Sequence, residues 1–275
     1  MNNPLRQYFR RPALHLSLPS KGQYYPEGSL ELPESSELPV YPMTAIDEIT
    51  SKTPDALFNG SAVVDIIKSC IPGIKDPWQI PSMDLDAILI AIRSATNGNE
   101  LDISSTCPKC ENEGEFKINL SYLLSTIKAD NYDNVLHVGE LQIKFKPLSY
   151  KEVNEGNTAQ FLMQRQIREM QVMDETDIEA RNKRSSELMK DIQKINADLI
   201  CKTIESISVE TMVVTNRDHI NEFIDKCDRN TFESIRTHVS TVRENSTIKP
   251  QKIKCVNCSH EYNQELALNI TDFFE

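Results

Sequence analysis

Four cysteines form two Cys-x-x-Cys pairs, and their type and spacing offer the clearest chemistry in this chain. The pairs are Cys107-Pro-Lys-Cys110 and Cys255-Val-Asn-Cys258. Two residues between the cysteines of a pair allow a tight turn to aim both sulfur atoms at one point, and Zn²⁺ takes four thiolates tetrahedrally. The sequence therefore predicts one structural zinc site with these four cysteines as its ligands.

Each pair is followed by a similar short segment, which favours two halves of one site over a chance occurrence. Residues 116–124 and 266–274 align on Asn119 and Asn269, and both place Ser or Thr two positions after the Asn and end in two apolar residues. If both pairs bind one metal ion, residues 111–254 form an insertion whose two ends meet at that ion.

A Cys-x-x-Cys pair can also be a redox dithiol or a disulfide. Glu111, Glu113 and Glu115 lie beside the first pair, whereas redox cysteines occupy electropositive surroundings that lower the thiol pKa. The N-terminal residues lack the apolar stretch of a secretion signal, so we do not expect an oxidising compartment. Both alternatives are weaker than zinc, and so is replacement of one thiolate by His260.

Composition and motifs argue against several function classes. The 275 residues include 30 Lys and Arg against 41 Asp and Glu, a net charge of −11 that disfavours binding to nucleic-acid phosphates. No apolar run approaches the roughly 18 residues of a membrane span. The common nucleotide-binding and hydrolase motifs are missing, and four thiolates leave a zinc ion no open position for catalysis. We expect no enzyme, and Asp84 and Asp86 are explained as helix caps and solvated faces.

Hydrophobic periodicity and turn residues predict an α+β fold that is mostly helical. Its parts are an N-terminal arm with an extended Pro-rich segment (1–43), a helical domain (44–106), the two halves of a split zinc ribbon (107–125 and 250–275), and an inserted hairpin with a helical arm (126–249).

The N-terminal part combines positive charge with prolines. Arg6, Arg10 and Arg11 are concentrated within an acidic chain. Residues 14–18 alternate as a strand does, whereas prolines at positions 26, 33, 39 and 42 exclude a central strand and favour edge or wrapping segments. The basic arm is either a solvated tail or a segment that lies along an acidic neighbour.

Helical signals begin at Thr44, which is a suitable N-cap for a first helix. Apolar positions between residues 62 and 70 and between residues 85 and 95 predict two more helices, the last of them ended by Gly98. Residues 101–103 then form a strand that leads into the first cysteine pair.

The insertion begins with a hairpin formed by residues 135–138 and 141–145. Residues 149–206 contain almost no Gly or Pro and predict two helices, because a possible capping box occurs at residues 176–179. Shorter helices at residues 218–226 and 232–242 return the chain to the second cysteine pair.

The second of the two long helices carries an apolar seam with 4-3-4 spacing, which predicts that its members face one partner helix. The seam consists of Leu188, Ile192, Ile195 and Leu199. Phe161 and Ile167 are expected in the same helical core. Four methionines, at positions 163, 170, 173 and 189, favour ordinary helix packing over an adaptable binding face. The apolar segment at residues 266–274 is expected to pack against the protein's own core.

Short motifs through residues 12–125 resemble those of the baseplate proteins of T-even-type contractile-tailed bacteriophages. They are Leu18-Pro-Ser-Lys-Gly22, Tyr25-Pro26, Tyr41-Pro-Met-Thr-Ala-Ile-Asp-Glu48, Thr53-Pro-Asp-Ala-Leu57, Gly60, Ile66-Ile-Lys-Ser-Cys-Ile71, Asp84-Leu-Asp86, Ile92-Arg93 and the first cysteine pair. The second pair and Phe273-Phe274 extend the resemblance more weakly, and the helical middle has no counterpart in it.

The resemblance implies a non-enzymatic structural or assembly component of the baseplate hub, located in the virion tail and, during assembly, in the host cytoplasm. Its partners would be other tail and baseplate proteins, including tape-measure or hub proteins. A second hypothesis is a chaperone that holds the tape-measure or hub protein and is absent from the finished virion. A third, a zinc ribbon that binds nucleic acid, is disfavoured by the charge.

Overall fold

The structure is a computed structural model that describes residues 4–53, 60–172 and 178–266. It confirms an α+β fold, and the described residues divide between two compact units. Unit 1 comprises Met1–Asp130 and Asn245–Glu275, and unit 2 comprises Asn131–Glu244. Three expectations lie outside the described residues: the capping box at residues 176–179, Asn269 with the apolar segment after residue 266, and most of the motif at residues 53–57.

The regular elements follow the chain in this order. The α-helices are α1 (Ala45–Ser51), α2 (Ser61–Cys70), α3 (Ser82–Asn97), α4 (Leu120–Thr126), α5 (Tyr150–Val172), α6 (Ile178–Thr203), α7 (Arg217–Lys226) and α8 (Arg229–Val242). The strands are β1 (Leu14–Leu16), β2 (Leu38–Val40), β3 (Glu100–Thr106), β4 (Glu113–Asn119), β5 (Leu136–Val138), β6 (Leu141–Phe145), β7 (Ile204–Val209), β8 (Met212–Val214), β9 (Gln251–Lys254) and β10 (Glu261–Gln264).

Helices α2 and α3 form the centre of unit 1, as their apolar periodicity predicts. Ile66 and Ile67 of α2 and Ile88 and Ile92 of α3 are almost completely buried. A capping box begins α1, because Thr44 Oγ1 accepts a hydrogen bond from the backbone N–H of Asp47 while the Asp47 carboxylate accepts from the N–H of Thr44. None of the helices in the described parts of the chain is long and apolar enough to cross a membrane.

The N-terminal segment is fixed to unit 1 more closely than the sequence indicated. Strand β2 contains Pro39, which lies opposite His15 in a two-stranded antiparallel sheet, so the prediction of an edge strand is confirmed. The Arg10 guanidinium donates to the carbonyl oxygens of Pro42 and Ser69 at 2.7 Å each and lies 3.5 Å from an Asp47 carboxylate oxygen. The expectation that Arg10 belongs to an arm available to a neighbour is therefore wrong.

Unit 2 contains a four-stranded antiparallel sheet in the order β5-β6-β7-β8. The hairpin of β5 and β6 confirms the prediction. The sequence did not reveal β7 and β8, and the expectation that helix continues to residue 206 is wrong because β7 begins at Ile204. Lys144 and Phe145 of β6 are separated by a shift in register against β7.

Helices α5 and α6 pack against each other in antiparallel directions. Gln160 donates to Asn196 at 2.7 Å, and Gly156 lies against Leu199, where an added Cβ would come within 2.7 Å of a Leu199 methyl carbon. The predicted seam is found on one face: Leu188 is buried and the other three members are half-buried. The residues on either side of Leu188, Ile192 and Ile195 in the sequence are exposed. Phe161, expected in the core, is 44% exposed.

The chain leaves unit 1 after Asp130 and returns to it at Asn245. The backbone N–H of Lys128 donates to the carbonyl of Asn245 at 3.1 Å. The buried Asp130 carboxylate accepts hydrogen bonds from the N–H and hydroxyl of Ser246 at 2.9 and 2.8 Å. These contacts hold the outgoing and returning segments together within unit 1.

Candidate metal centre

The first cysteine pair occupies the loop between β3 and β4, which form a hairpin that pairs from Glu100 with Asn119 to Thr106 with Glu113. The backbone N–H of Cys107 donates to the carbonyl of Asn112 at 3.0 Å, and the N–H of Glu111 donates back to the carbonyl of Cys107 at 2.9 Å. Glu111 has a positive φ of 54°, which reverses the chain immediately after the second cysteine.

The second pair repeats this geometry in the loop between β9 and β10. The backbone N–H of Cys255 donates to the carbonyl of His260, and the N–H of Ser259 donates to the carbonyl of Cys255, both at 2.9 Å. Ser259 has a φ of 58° at the position equivalent to Glu111. Two hairpins that are separate in sequence therefore present their cysteines from loops with the same backbone conformation.

The four sulfur atoms come together in unit 1. Sγ of Cys107 is 3.7 Å from Sγ of Cys258, and Sγ of Cys110 is 3.7 Å from Sγ of Cys255. All four Sγ atoms lie within 4.8 Å of one another. Metal–sulfur bonds of about 2.3 Å in a regular tetrahedron require sulfur–sulfur separations of about 3.8 Å. A disulfide would require about 2.05 Å, so the arrangement suits a metal ion and not two disulfide bonds.

The pKa values of two of these thiols are shifted in opposite directions. The backbone N–H of Cys258 stabilises the thiolate of Cys255 and lowers its pKa to about 7. Although the backbone N–H of His260 favours the Cys258 thiolate, burial and the three neighbouring thiols raise the pKa of Cys258 to about 12. Several thiolates close together repel one another, and a divalent cation between them removes that repulsion.

Residues outside the cysteine pairs connect the two hairpins. The Asn257 side-chain amide donates to Sγ of Cys110 in the opposite loop at 3.8 Å. The hydroxyl of Ser105, on β3, lies 3.0 Å from the Tyr262 hydroxyl on β10 and also donates to the side-chain oxygen of Gln264. These contacts were not predicted from the sequence. The only local indication of them is that Ser105 lies two residues before Cys107.

His260 is not part of the metal-ligand group that the structure assembles. Among the described residues that group consists of the four cysteines alone. The ring of His260 lies beside the ring of Tyr262 at a centroid distance of 6.2 Å, and its carbonyl accepts the hydrogen bond from Cys255. The cysteines are partly protected from solvent: Cys107 and Cys255 are buried, whereas Cys110 and Cys258 are half-buried.

A second polar cluster in unit 1 corrects the interpretation of Asp84 as a cap or solvated residue. Its carboxylate is completely buried and accepts hydrogen bonds from the backbone N–H of Ser20 at 2.8 Å, the Ser20 hydroxyl at 2.5 Å and the Tyr25 hydroxyl at 3.0 Å. Burial raises the pKa of Asp84 despite these hydrogen bonds. The cluster joins the loop of residues 18–25 to the beginning of α3, and its three members come from the motifs that carry the family resemblance.

Comparison with known families is decisive for the affiliation of this chain. A family model described as "T4 bacteriophage base plate protein" matches residues 26–275, which is nearly the whole chain. The chain belongs to this base plate family. The match includes the helical middle, for which the motif resemblance found no counterpart, and it begins after the motif at residues 18–22. No curated protein and no solved structure matches the chain.

Membership of the base plate family is consistent with a structural role and implies contacts with other base plate proteins. The four-cysteine group is a possible metal site within that structural protein. A set of four thiolates is typical of closed, structural metal sites, because it leaves no coordination position for a substrate or a water molecule.

Proposed function

We propose that this protein is a non-enzymatic structural or assembly component of the hub region of a contractile phage tail baseplate. The observation that carries the proposal is the family match over residues 26–275. The protein acts through contacts with other tail and baseplate proteins, among them hub or tape-measure proteins. It resides in the tail baseplate of the virion and, before assembly is complete, in the host cytoplasm.

We further propose that Zn²⁺ is bound by Cys107, Cys110, Cys255 and Cys258 and has a structural role. Support comes from the two 3.7 Å sulfur–sulfur distances and from the matching conformations of the two loops. Four soft thiolate ligands favour zinc over hard cations such as Mg²⁺ and Ca²⁺. The ion would hold the β3–β4 hairpin against the β9–β10 hairpin and so form a split zinc ribbon.

The division of the chain that we propose combines these features. The helical domain and both halves of the zinc ribbon form one part of the protein, which the metal ion holds together. The β5–β6 hairpin and the long helices α5 and α6 form a second part, an inserted arm. The hydrogen bonds that Ser246 donates to the Asp130 carboxylate support this division, because they join the two chain segments that lead into and out of the insertion.

Mass analysis of purified virions tests the proposed role. A structural component is recovered in constant proportion to other baseplate proteins. A protein that is abundant in infected cells and missing from virions would contradict the structural role.

That outcome would favour the chaperone hypothesis, for which α5 and α6 provide one specific observation. Phe161, Leu162 and Met189 on these helices are 44%, 43% and 55% exposed. A helical client could cover such apolar side chains.

Metal analysis of the purified protein tests the zinc proposal independently. We expect about one zinc ion per chain, since four ligands complete one tetrahedral shell. Cys110→Ser and Cys258→Ser should each remove the zinc ion. Cys227→Ser is a matched control, because Cys227 lies at the C-terminal end of α7 and is not one of the four proposed ligands. Zinc retained at full stoichiometry by both ligand variants would contradict the assignment.

A further inference from the structure

The start of the chain displays apolar side chains that the fold does not cover. Residues Pro4–Tyr8 form a short 3₁₀-helix. Leu5 is 60% exposed, Tyr8 is 77% exposed and Phe9 is 57% exposed. Isolated exposed apolar residues are ordinary, but a group of them that includes aromatic residues is typical of a site of protein contact.

The Arg10 side chain fixes this segment to the body of unit 1. Besides its hydrogen bonds to the carbonyls of Pro42 and Ser69, it donates to the Ser69 hydroxyl at 2.9 Å and lies 5.7 Å from the centre of the Tyr41 ring. The residue immediately before this anchor is Phe9. A segment held in this way loses little conformational freedom when it binds, which lowers the entropic cost of association.

Helix α1, which contacts the same anchor through Asp47, displays a second apolar group. Ile46 and Ile49 are 75% and 70% exposed, and they share one face because they lie three positions apart on the helix. Asp47, between them, faces inward and contacts Arg10 at 3.5 Å. Glu48 on the same helix is exposed.

The two groups differ in charge. The N-terminal segment carries three of the chain's 30 basic residues and no acidic residue, whereas all 41 acidic residues lie outside residues 1–11. Arg6 and Arg11 are exposed and form no ion pair with any residue that the structure describes. The basic, apolar N-terminal segment is therefore complementary to a surface that displays both a carboxylate and apolar side chains. Helix α1 is such a surface.

We propose that the N-terminal segment of one copy of this protein binds helix α1 of a second copy, and that the partner binds back in the same way. The paired surfaces are Leu5, Tyr8 and Phe9 on one side and Ile46 and Ile49 on the other, with Arg6 and Arg11 directed toward the acidic partner. A twofold pair uses both surfaces twice, so neither apolar group is left exposed.

The contact area is adequate for such a pair. A fully buried aromatic side chain removes about 150–250 Å² from solvent. Because Tyr8 and Phe9 are only partly exposed in one copy, the four aromatic residues of two segments remove about 400–670 Å² before the surface that they cover on the partner is added. Specific interfaces bury about 1,200–2,000 Å² in total. The area therefore fits a small interface and a dimer that dissociates on dilution.

Sedimentation equilibrium of the full-length, zinc-loaded protein over a series of concentrations tests the proposal. The native protein should exchange between monomer and dimer. The double variant Tyr8→Ser with Phe9→Ser should weaken dimerisation roughly tenfold or more, because the change acts twice in a symmetric pair. Ile49→Ser should weaken it as well. Tyr122→Ser is the matched control, since Tyr122 lies on α4 and is 62% exposed.

Zinc content and circular dichroism should be the same in all four proteins, because the replaced side chains are exposed. A native protein that stays monomeric at every concentration would overturn the proposal. So would a dimer that the double variant and Ile49→Ser leave unchanged. If the native protein is monomeric but the double variant fails to recover baseplate proteins from infected cells, the segment binds another protein and self-association is refuted.

Discussion

If the four cysteines bind zinc as we propose, loss of one ligand should release the C-terminal hairpin while the helical core remains folded. The perturbation is Cys258→Ser, which removes the sulfur atom that lies 3.7 Å from Cys107. Structural zinc contributes roughly 10–16 kcal/mol of apparent binding free energy in small domains, which is about 3–4 kcal/mol for each of four ligands. One substitution should therefore weaken zinc binding by about a hundredfold or more.

The contacts that remain are too weak to replace the ion. Strands β9 and β10 pair over four residues each, and a two-stranded hairpin of that size is marginal by itself. The Ser105 hydroxyl contributes two hydrogen bonds to β10, together about 1–3 kcal/mol. Ordering the backbone of the hairpin costs about 1–2 kcal/mol per residue, and β9 and β10 contain four residues each. This entropic cost exceeds the free energy that the hydrogen bonds contribute, so the hairpin should detach.

Hydrogen exchange followed by mass spectrometry distinguishes the two regions. In Cys258→Ser, or in the native protein treated with a strong chelator, peptides covering residues 251–264 should lose protection. Peptides covering residues 82–97 should keep it, because α3 is buried in the core of unit 1 and contains none of the four cysteines. Cys227→Ser should resemble the native protein. Full protection of residues 251–264 after zinc removal would contradict the proposal that the metal ion holds the β9–β10 hairpin in place.

Three further predictions concern stability, each measured by urea unfolding. Asp84→Ala should cost roughly 3–5 kcal/mol because it leaves the Ser20 and Tyr25 donors buried without their acceptor, whereas the exposed Asp65→Ala should change little. Burial raises the pKa of Asp84 in the folded state above its unfolded value of 3.8, so the stability that the native protein holds over Asp84→Ala should fall as the pH rises from 3.8 through that raised pKa. A difference that stays constant across that range would contradict it. Ser259→Gly should leave stability equal or raise it by up to about 1 kcal/mol because φ is 58° there, and a clear loss would contradict that account.

Elements with strong local signals were predictable. The apolar stripes of α2 and α3 repeat at helical spacing, and Gly98 ends α3 as its sequence position indicates. The spacing of Cys107, Cys110, Cys255 and Cys258 was sufficient to predict that the four sulfur atoms come together, because two residues between cysteines restrict each pair to a narrow set of turns.

Elements that depend on distant partners were not predictable. Strand β7 is stabilised by pairing with β6, and β8 by pairing with β7. Ile204 follows α6 without a Gly or Pro to mark the end of the helix. The role of Asp84 depends on Ser20 and Tyr25, which are about 60 positions away in the sequence. Local patterns describe which face of an element is apolar, but they do not identify the group that reaches a buried carboxylate from elsewhere.

The placement of the cysteines follows from the way unit 1 is divided along the chain. The described residues of its second piece, residues 245–275, include two strands of four residues each. Such short strands bury too little apolar surface to hold this piece in place. The Asp130–Ser246 hydrogen bonds hold the point of return, and the two hairpin loops bring four cysteine sulfur atoms within 4.8 Å of one another. A metal ion supplies several kcal/mol from four small side chains, so it can fix a short segment that hydrophobic burial cannot. The Cys-x-x-Cys pairs therefore occur where the core of unit 1 is weakest.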